Sequence, residues 1–235
     1  MSNSSLVSYT RMSPNYSLRT APISKITIHH MAGNYSLSSV GNSFASTSRQ
    51  ASANYGIDSQ GKVALYVDEK HRAWTSSNKQ NDNVAVTIEV ANDGGAATGW
   101  HVSDKAYNTL IDLCVDICKR NNIKALNYTG TSSGNLTRHN MFAATSCPGN
   151  YLQGRFPQIA AEVNKRLAQN SAEEKSFLVR VIASALNVRA GAGVQYKINT
   201  VVKKGEAFTI VDELNGWGKL KSGKGWIHLG YTERV

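Results

Sequence analysis

A histidine and a cysteine that lie eight residues apart, His139 and Cys147, are the residues of this chain best suited to chemistry. They belong to the segment RHNMFAATSCPGN, residues 138–150, and a further histidine, His29, lies far upstream in KITIHH, residues 25–30. Two imidazoles and one thiolate, with the fourth position left to water, form a catalytic zinc site. Either histidine alone would more often be a core residue, so the hypothesis of one bound zinc ion depends on all three groups meeting.

Hydrophobic patterning identifies the strands that would carry these groups. Residues 23–31 alternate in hydrophobicity, which is typical of a half-buried strand. Successive side chains of a strand point to opposite faces, so only one of His29 and His30 can face the site. Residues 84–91, VAVTIEVA, form the clearest strand, and its β-branched composition predicts a central place in a sheet. Glu89 in this strand would be costly to bury without a partner, which favours a functional role over a rim salt bridge.

The remaining elements of this part of the chain follow from spacing and capping signals. Residues 104–120 have apolar side chains at helical spacing behind the cap Ser103, which predicts a helix. Cys114 and Cys118 lie four apart on it, so we expect a reduced, buried pair. We also predict an extended lead-in over residues 1–24, a helix over 37–53, a hairpin with strands at 54–58 and 63–67, a loop over 127–138 and a last helix from Pro157 to Leu167.

A change of pattern divides the chain. Its 235 residues exceed the usual size of one domain, and a hydrophobic fraction of 41% is enough to bury a sizeable core. The stretch AQNSAEEKS, residues 168–176, is polar and aperiodic, and after it short strands alternate with glycine-containing turns, which predicts a small β-barrel. We therefore predict a first domain over residues 1–168, a linker over 169–176 and a second domain over 177–235.

Charge and composition exclude several classes of protein. The 26 basic and 16 acidic residues give a net charge of +10, which favours a polyanionic partner such as nucleic acid, an anionic membrane surface or a cell wall. No run of Lys and Arg stands out, which argues against binding of nucleic acid. No apolar run has the length of a signal-peptide core or a membrane span. We therefore expect a soluble protein, made in the cytoplasm without a signal peptide and without membrane insertion.

Most of the predicted first domain resembles a known family. The matching segments, in the expected order, are ITIHHMAG (26–33), SANYGIDSQGKVALYVDEKHRAW (52–74), VTIEVAND (86–93) and RHNMFAATSCPGNYL (138–152). On these segments, residues 14–168 resemble the zinc-dependent N-acetylmuramoyl-L-alanine amidases of the Amidase_2 class, which also contains the peptidoglycan recognition proteins and many phage endolysins. The resemblance implies an α/β fold in which a mixed β-sheet is flanked by helices.

The resemblance also implies the metal ligands and the general base. His29, His139 and Cys147 correspond to the three ligands of one zinc ion, and His30 would face away from it. Glu89 matches the glutamate that takes a proton from zinc-activated water and passes it to the departing amine. The reaction implied is metal-assisted hydrolysis of an amide.

Residues that stabilise the oxyanion formed during amide hydrolysis, or that line the substrate groove, vary more within the family. Thr145 matches a position that holds Lys or Thr in relatives, and its hydroxyl would stabilise an oxyanion less than a lysine would. Some members use a tyrosine in the hairpin strand, but the matching position here is Ala53, which leaves a role for Tyr55 open. Trp74 and Trp100 are candidates either for the groove or for the core, whereas His71 and His101 are expected at the surface.

The C-terminal part resembles a bacterial SH3 (SH3b) domain. The resemblance rests on ALNVRAGAG (185–193) and on VKKGEAFTIVDELNGWGKLKSGKGWI (202–227). Such modules in cell-wall hydrolases bind peptidoglycan peptides or wall polymers, and this is the function that the resemblance implies here. Trp217, Tyr196 and Tyr231 are the candidates for a binding groove, whereas Trp226 is expected in the core.

Together the two resemblances imply a peptidoglycan hydrolase of the phage endolysin or autolysin type. It would cleave the amide bond between N-acetylmuramic acid and L-alanine in a Gram-positive cell wall, and we expect it to act as a monomer after release from the cytoplasm. One alternative is a non-catalytic protein that binds peptidoglycan with the same fold. Another is a cysteine endopeptidase, with Cys147 as the nucleophile and His139 as its base.

Overall fold

The computed structural model of the chain describes residues 2–174, with side chains as far as residue 169, and residues 176–235. Two compact units are present, Met1–Leu167 and Ala168–Val235. The strands of the first unit are β1 (Val7–Thr10), β2 (Tyr16–Leu18), β3 (Lys25–His30), β4 (Tyr55–Ile57), β5 (Val63–Leu65), β6 (His71–Ala73), β7 (Ala85–Val90) and β8 (Leu136–Arg138). The helices are α1 (Leu37–Phe44), α2 (Lys79–Val84), α3 (Asp104–Arg120) and α4 (Gly149–Glu174).

Six of these strands form one mixed sheet in the order β1-β5-β4-β7-β3-β8. Only β4 and β5 pair antiparallel, as the predicted hairpin requires, and the other neighbours are parallel. The predicted α/β class, with a mixed sheet and flanking helices, is therefore confirmed. Strand β7 lies between β4 and β3, which confirms its predicted central place.

One face of the sheet carries the hydrophobic core. Ile26 and Ile28 of β3 and Val86 and Ile88 of β7 are fully buried there, and they belong to one cluster with residues of α3 and α4. The helical members of this cluster include Leu110, Leu113, Ile117, Phe156, Ile159 and Val163. Because strand side chains alternate, the intervening residues of β3 and β7 must face the other side.

That opposite face is polar although it is buried. Thr27, Thr87 and Thr137 occupy one register row across β7, β3 and β8, and each is fully buried. The hydroxyls of Thr27 and Thr137 lie 2.9 Å apart, and the hydroxyl of Thr87 lies 3.3 Å from Oδ1 of Asn54. Polar groups can be buried at low cost when they are paired in this way. His29 and Glu89 form the next register pair of this polar face.

Helix α3 agrees with its prediction at both ends, whereas α1 is shorter than predicted. Ser103 caps α3 by accepting a hydrogen bond from the amide of Ala106 at 3.2 Å, and Cys114 and Cys118 are buried and unbridged. The predicted helix over 37–53 ends at Phe44, and a short 3₁₀ turn, Thr47–Arg49, follows it. The intervening sequence is rich in serine, and serine side chains compete for backbone hydrogen bonds and so disfavour helix interiors.

Helix α4 begins eight residues before the predicted start at Pro157, which lies inside it. Proline removes one helical hydrogen bond, but the first two turns are anchored because Leu152 and Phe156 are fully buried in the core. The helix extends to Glu174, so most of the predicted linker is helical, and the domain boundaries at 168 and 177 stay a prediction. Neither α4 nor any other helix in the described part of the chain is long and apolar enough to cross a membrane.

The second unit is an antiparallel sheet, which confirms its predicted all-β class. Its strands are β9 (Phe177–Val181), β10 (Ala185–Arg189), β11 (Ile198–Lys203), β12 (Ala207–Leu214), β13 (Trp217–Leu220), β14 (Trp226–His228) and β15 (Thr232–Arg234). They follow the order β11-β10-β14-β13-β12-β9-β15 around a small core that includes Val188, Ile210 and Ile227. Asn215 and Gly216 both have positive φ, 49° and 79°, as a tight hairpin turn between β12 and β13 requires.

A buried ion pair ties the end of α3 to the loop after β5. The side chain of Glu69 is 1% exposed and accepts hydrogen bonds from both terminal nitrogens of Arg120, at 2.6 and 2.8 Å. Tyr55 and Asn121 donate to the same carboxylate, at 2.7 and 3.1 Å. Both carboxylate oxygens of Glu69 accept hydrogen bonds, and the guanidinium of Arg120 balances its charge. Burial of Glu69 is therefore favourable only while Arg120 is present.

We therefore predict that Arg120→Met lowers the free energy of unfolding by about 3–5 kcal/mol, because Glu69 would remain buried without its counter-charge. Arg166→Met is the matched control, since Arg166 pairs with Asp112 and Glu162 at the surface, where an ion pair contributes less than about 1 kcal/mol. Urea unfolding of both variants measures the difference. Equal, small losses would show that the Glu69 network is not a structural anchor.

Candidate metal centre

The two predicted histidine ligands meet where two parallel strands end. His29 is the penultimate residue of β3, and His139 opens a 3₁₀ turn directly after β8. Because β3 and β8 run parallel, with Ile28 opposite Arg138, their carboxyl ends lie at the same edge of the sheet. The ring centroids of the two histidines are 4.6 Å apart and their planes are tilted by 53°.

The third candidate, Cys147, is brought back to this edge by backbone hydrogen bonds. The amide of Asn140 donates to the carbonyl of Cys147 at 3.1 Å, which closes the loop between His139 and Cys147. The amide of Cys147 in turn donates to the hydroxyl of Thr145 at 3.2 Å. As a result Sγ of Cys147 lies 3.6 Å from Nδ1 of His29 and accepts the amide hydrogen of His30 at 3.4 Å.

Together the three side chains form a donor set that could hold a metal ion. Their ligand atoms all lie within 4.8 Å of one another, and His29 and Cys147 are only 1% and 7% exposed. Tetrahedral zinc with its usual bond lengths to nitrogen and sulfur would place these two atoms about 3.6 Å apart. The separation between Nδ1 of His29 and Sγ of Cys147 matches that value, so these residues fit zinc.

Burial sets the protonation of the three donors. It lowers the pKa of His29 well below its ordinary value, with the neighbouring His139 as a smaller cause, and it also lowers the pKa of His139. Both imidazoles are therefore neutral near pH 7 and have a lone pair available. Burial raises the pKa of the Cys147 thiol, and Glu89 raises it further. A metal ion must displace this proton in order to bind.

Glu89 lies beside the donor set with its carboxyl group unsatisfied. It is the register partner of His29 on β7, so both side chains project from the same face of the sheet. Its Oε2 atom is buried and has no hydrogen-bond partner among the described residues. Burial raises the pKa of Glu89 to about 8, although the positive charge of Arg49 opposes the shift. An unpaired carboxyl group in such a place is a candidate for proton transfer.

All of these groups except the buried His29 line one groove of about 720 Å³, a size usual for ligand sites. Its lining includes His139, Cys147, Glu89, Thr145, Tyr35, Arg49 and Trp74. Thr145 is exposed, so its hydroxyl is accessible to a ligand in the groove. The structure therefore brings together the sequence-predicted metal, base and oxyanion candidates, and it adds Trp74 as a wall of the same groove.

Two other candidates, Tyr55 and His101, do not line the groove, whereas His30 borders it. The Tyr55 ring is fully buried on the core face of the sheet, and its hydroxyl donates to Glu69, so it cannot assist an oxyanion. His30 lies on the face opposite His29, with its ring 5.2 Å from that of Trp100 in an edge-on contact. His101 pairs with Asp93 at 2.6 Å near the surface, as expected.

In the second unit the two tryptophans differ from expectation. Trp217, predicted as a wall-binding residue, is only 8% exposed, and its ring packs edge-on against His228. Trp226, expected in the core, is half-buried. Trp217 is not part of the hydrophobic core of this unit, since it lies on the same strand face as the exposed Lys219, and the contact with His228 helps to cover its ring. Tyr196 and Tyr231, at 45% and 53% exposure, remain accessible.

Sequence reasoning missed two groups near the centre. Arg49 lines the groove and interacts electrostatically with Glu89, but it follows a serine-rich stretch without any periodic signal. Ser76 is fully buried, and its hydroxyl lies 3.3 Å from Nε2 of His29. Its position in the polar run Thr75 to Asn78 reads as a surface loop, so nothing in the sequence distinguishes it.

Three clustered donors, a free carboxyl group and an open groove are the arrangement of a metal-dependent hydrolase. The family model for N-acetylmuramoyl-L-alanine amidase (Amidase_2) matches residues 19–150, more than half of the chain. A model for the bacterial SH3 domain matches residues 184–233. A comparison with curated proteins found no match. The chain therefore belongs to the N-acetylmuramoyl-L-alanine amidase family and has a C-terminal bacterial SH3 domain, which confirms the prediction from its motifs.

Several solved structures share the fold of the first unit. The structure of PlyL is 16% identical, covers 66% of this chain and 95% of its own, and has a TM-score of 0.51. A mutant endolysin from Bacillus subtilis is 15% identical, covers 66% and 97%, and has a TM-score of 0.52. A selenomethionine derivative of AmpD is 19% identical, covers 68% and 99%, and has a TM-score of 0.50. At these identities the similarity establishes the fold.

Proposed function

We propose that this amidase holds one zinc ion through His29, His139 and Cys147 and uses it to hydrolyse the bond between N-acetylmuramic acid and L-alanine in peptidoglycan. The observation that carries the proposal is the set of three donors, two of them buried and all within 4.8 Å, beside the groove that Glu89 lines. Hydrolysis adds water across the amide, so the lactyl carbonyl becomes a carboxylate and the stem peptide gains a free amine.

The bound zinc would supply two effects, a lower pKa for water and polarisation of the carbonyl. Glu89 would act as the general base and acid of the reaction. Burial raises its pKa to about 8 in the metal-free chain, and a bound cation would lower that pKa and favour the ionised form that accepts a proton from water. No hydrogen bond to another described residue has to be broken before Oε2 of Glu89 takes part.

Thr145 is proposed to assist the developing oxyanion. Its oxygen already accepts the amide hydrogen of Cys147, which fixes the side chain beside the metal ligands. The hydroxyl hydrogen is then available to a substrate carbonyl in the groove. A neutral donor of this kind contributes less than a charged lysine, so Glu89 carries more of the catalysis.

A cysteine peptidase is the less well supported alternative. A nucleophilic cysteine needs a thiolate at neutral pH, whereas burial raises the pKa of Cys147. Among the described residues the imidazole in hydrogen-bond contact with Cys147 is that of the buried His29, at 3.6 Å from Nδ1 to Sγ, and not that of His139, the base that this alternative requires. A protein that only binds peptidoglycan is also disfavoured, because the donor set and Glu89 are complete.

The second domain is proposed to bind the cell wall through exposed aromatic residues. Tyr196 and Tyr231 are the accessible candidates, while the burial of Trp217 leaves little of its ring for a ligand. The positive net charge suits an anionic Gram-positive wall. Similar folds include an endolysin from Bacillus subtilis, which supports a role in wall lysis after the protein reaches the wall.

The enzymatic proposal is tested by incubating the full chain with purified Gram-positive peptidoglycan and identifying new amino termini by mass spectrometry. We expect free N-terminal L-alanine on intact stem peptides. This release should stop on treatment with EDTA and return on addition of zinc. Cleavage within the peptide that persists without metal would instead make Cys147 a nucleophile.

Glu89→Gln is the internal control, because it keeps the shape of the side chain and removes its basicity. It should bind zinc as the wild type does and release L-alanine termini about 10²–10⁴-fold more slowly. Wild-type rates in this variant would exclude Glu89 as the general base.

Wall binding is tested in the Glu89→Gln background, which prevents digestion of the wall. We predict that Tyr196→Ala combined with Tyr231→Ala weakens cosedimentation with Gram-positive walls by about tenfold, a loss of about 1.4 kcal/mol. Leu214→Ala, at a comparably exposed position, should have no effect. Gram-negative sacculi serve as the comparison, and equal binding to both would remove the Gram-positive preference.

A further inference from the structure

The two ring nitrogens of His29 have different neighbours. Nδ1 faces Sγ of Cys147, whereas Nε2 lies 3.3 Å from the hydroxyl oxygen of Ser76. The ring is 1% exposed, and these are its two hydrogen-bond contacts among the described residues. The ligand atom for a metal is therefore Nδ1, and Ser76 is the group that contacts the other nitrogen.

Ser76 is held rigidly in the segment between β6 and α2. It is fully buried, and its amide donates to Oδ2 of Asp82 at 3.0 Å. The amide of Thr75 donates to the same oxygen at 3.0 Å. Asp82 lies in α2 and is itself buried, so the Ser76 hydroxyl is placed by a helix rather than by a free loop.

A second side chain donates a hydrogen bond to the Ser76 oxygen. Nδ2 of Asn81 donates to the Ser76 oxygen at 3.3 Å and to the Thr27 oxygen at 2.9 Å. A serine oxygen can accept two hydrogen bonds. With one lone pair directed to Asn81, the other is available to an N–H group at Nε2 of His29.

We propose that Ser76 is a positioning residue that accepts the Nε2 hydrogen of His29 and so keeps the Nδ1 lone pair directed at the metal. A neutral imidazole has one N–H group, and placing it on Nε2 leaves Nδ1 unprotonated. Metal binding at Nδ1 sets this direction, because the ring hydrogen must then be on Nε2, and Asn81 helps to hold the Ser76 oxygen in place. The inference rests on the proposed function, because it requires that His29 binds a metal ion.

The cost of losing Ser76 follows from the burial of the ring. Without the hydroxyl, the Nε2 hydrogen of metal-bound His29 would be buried with no acceptor among the described residues, which is unfavourable. The alternative tautomer, with the hydrogen on Nδ1, cannot bind a metal at that atom. Either outcome weakens metal binding without removing a ligand.

The test is the zinc affinity of the metal-free full chain, measured by competition with a chromophoric chelator. We expect Ser76→Ala to bind zinc about 10–100-fold more weakly, as is typical when the partner of a metal-bound histidine is lost. Ser76→Thr keeps the hydroxyl and should restore most of the affinity. Asn81→Ala should cause a smaller loss, because it removes one contact that holds the Ser76 oxygen, while Asp82 still fixes the Ser76 backbone.

Ser13→Ala is the matched control, because Ser13 is also a buried serine of this domain. Its hydroxyl donates to the carbonyl of Phe44 at 2.6 Å and contacts no metal ligand. This variant should lose thermal stability in the metal-free state and keep wild-type zinc affinity. A purely structural role for Ser76 would make Ser76→Ala behave in the same way.

The outcomes separate this inference from the proposed function. Wild-type affinity in both Ser76→Ala and Asn81→Ala would overturn the positioning role and leave the zinc site intact. The absence of tight zinc binding by the wild type would overturn both proposals. If Ser76→Ala does not fold, Asn81→Ala and Ser76→Thr still decide the matter, the first by its weakened affinity and the second by its retained affinity.

Discussion

His29, a candidate metal ligand, and Glu89, a candidate general base, project from the same buried face of the six-stranded sheet. Burial keeps the imidazole neutral and raises the pKa of the carboxyl group, and both effects suit metal binding and proton transfer. A buried polar face is stable only when its other groups are paired, and the threonine row with Asn54 and Asn81 provides that pairing. The apolar face and its helices make this arrangement possible by supplying the core.

The metal centre depends on how three separate parts of the chain converge at one sheet edge. Parallel pairing brings the ends of β3 and β8 together, and a backbone hydrogen bond returns Cys147 to the same place. The segment before α2 then covers the outer side of His29 through Ser76. His29 lies in a strand and the loop of Cys147 is held by hydrogen bonds, so these two ligands are already placed before an ion binds.

The sequence predicted the class of fold and the principal chemical groups because both have strong local signals. Alternation identified β3, β-branched residues identified β7, and helical spacing with a serine cap identified α3. His29, Glu89, His139 and Cys147 were found because their segments resemble a family with known motifs. These local patterns are independent of how the chain is arranged in space.

Features that depend on tertiary contacts were not predictable in the same way. Pro157 reads as a helix start, but burial of Leu152 and Phe156 extends the helix before it. Trp217 reads as a binding residue, but a tertiary contact with His228 helps to cover its ring, which is only 8% exposed. Ser76 and His29 are 47 positions apart in the sequence but in contact in the structure, and a periodic pattern cannot predict such a contact.

The coordination of one zinc ion by two imidazoles and one thiolate, as proposed for this chain, can be measured directly. X-ray absorption at the zinc edge of the zinc-loaded chain should show one sulfur at about 2.3 Å and nitrogen neighbours at about 2.0–2.1 Å. Cys147→Ser should lose the sulfur signal, although Cys114 and Cys118 are still present. A zinc environment without sulfur, or a sulfur signal that survives in Cys147→Ser, would contradict the account.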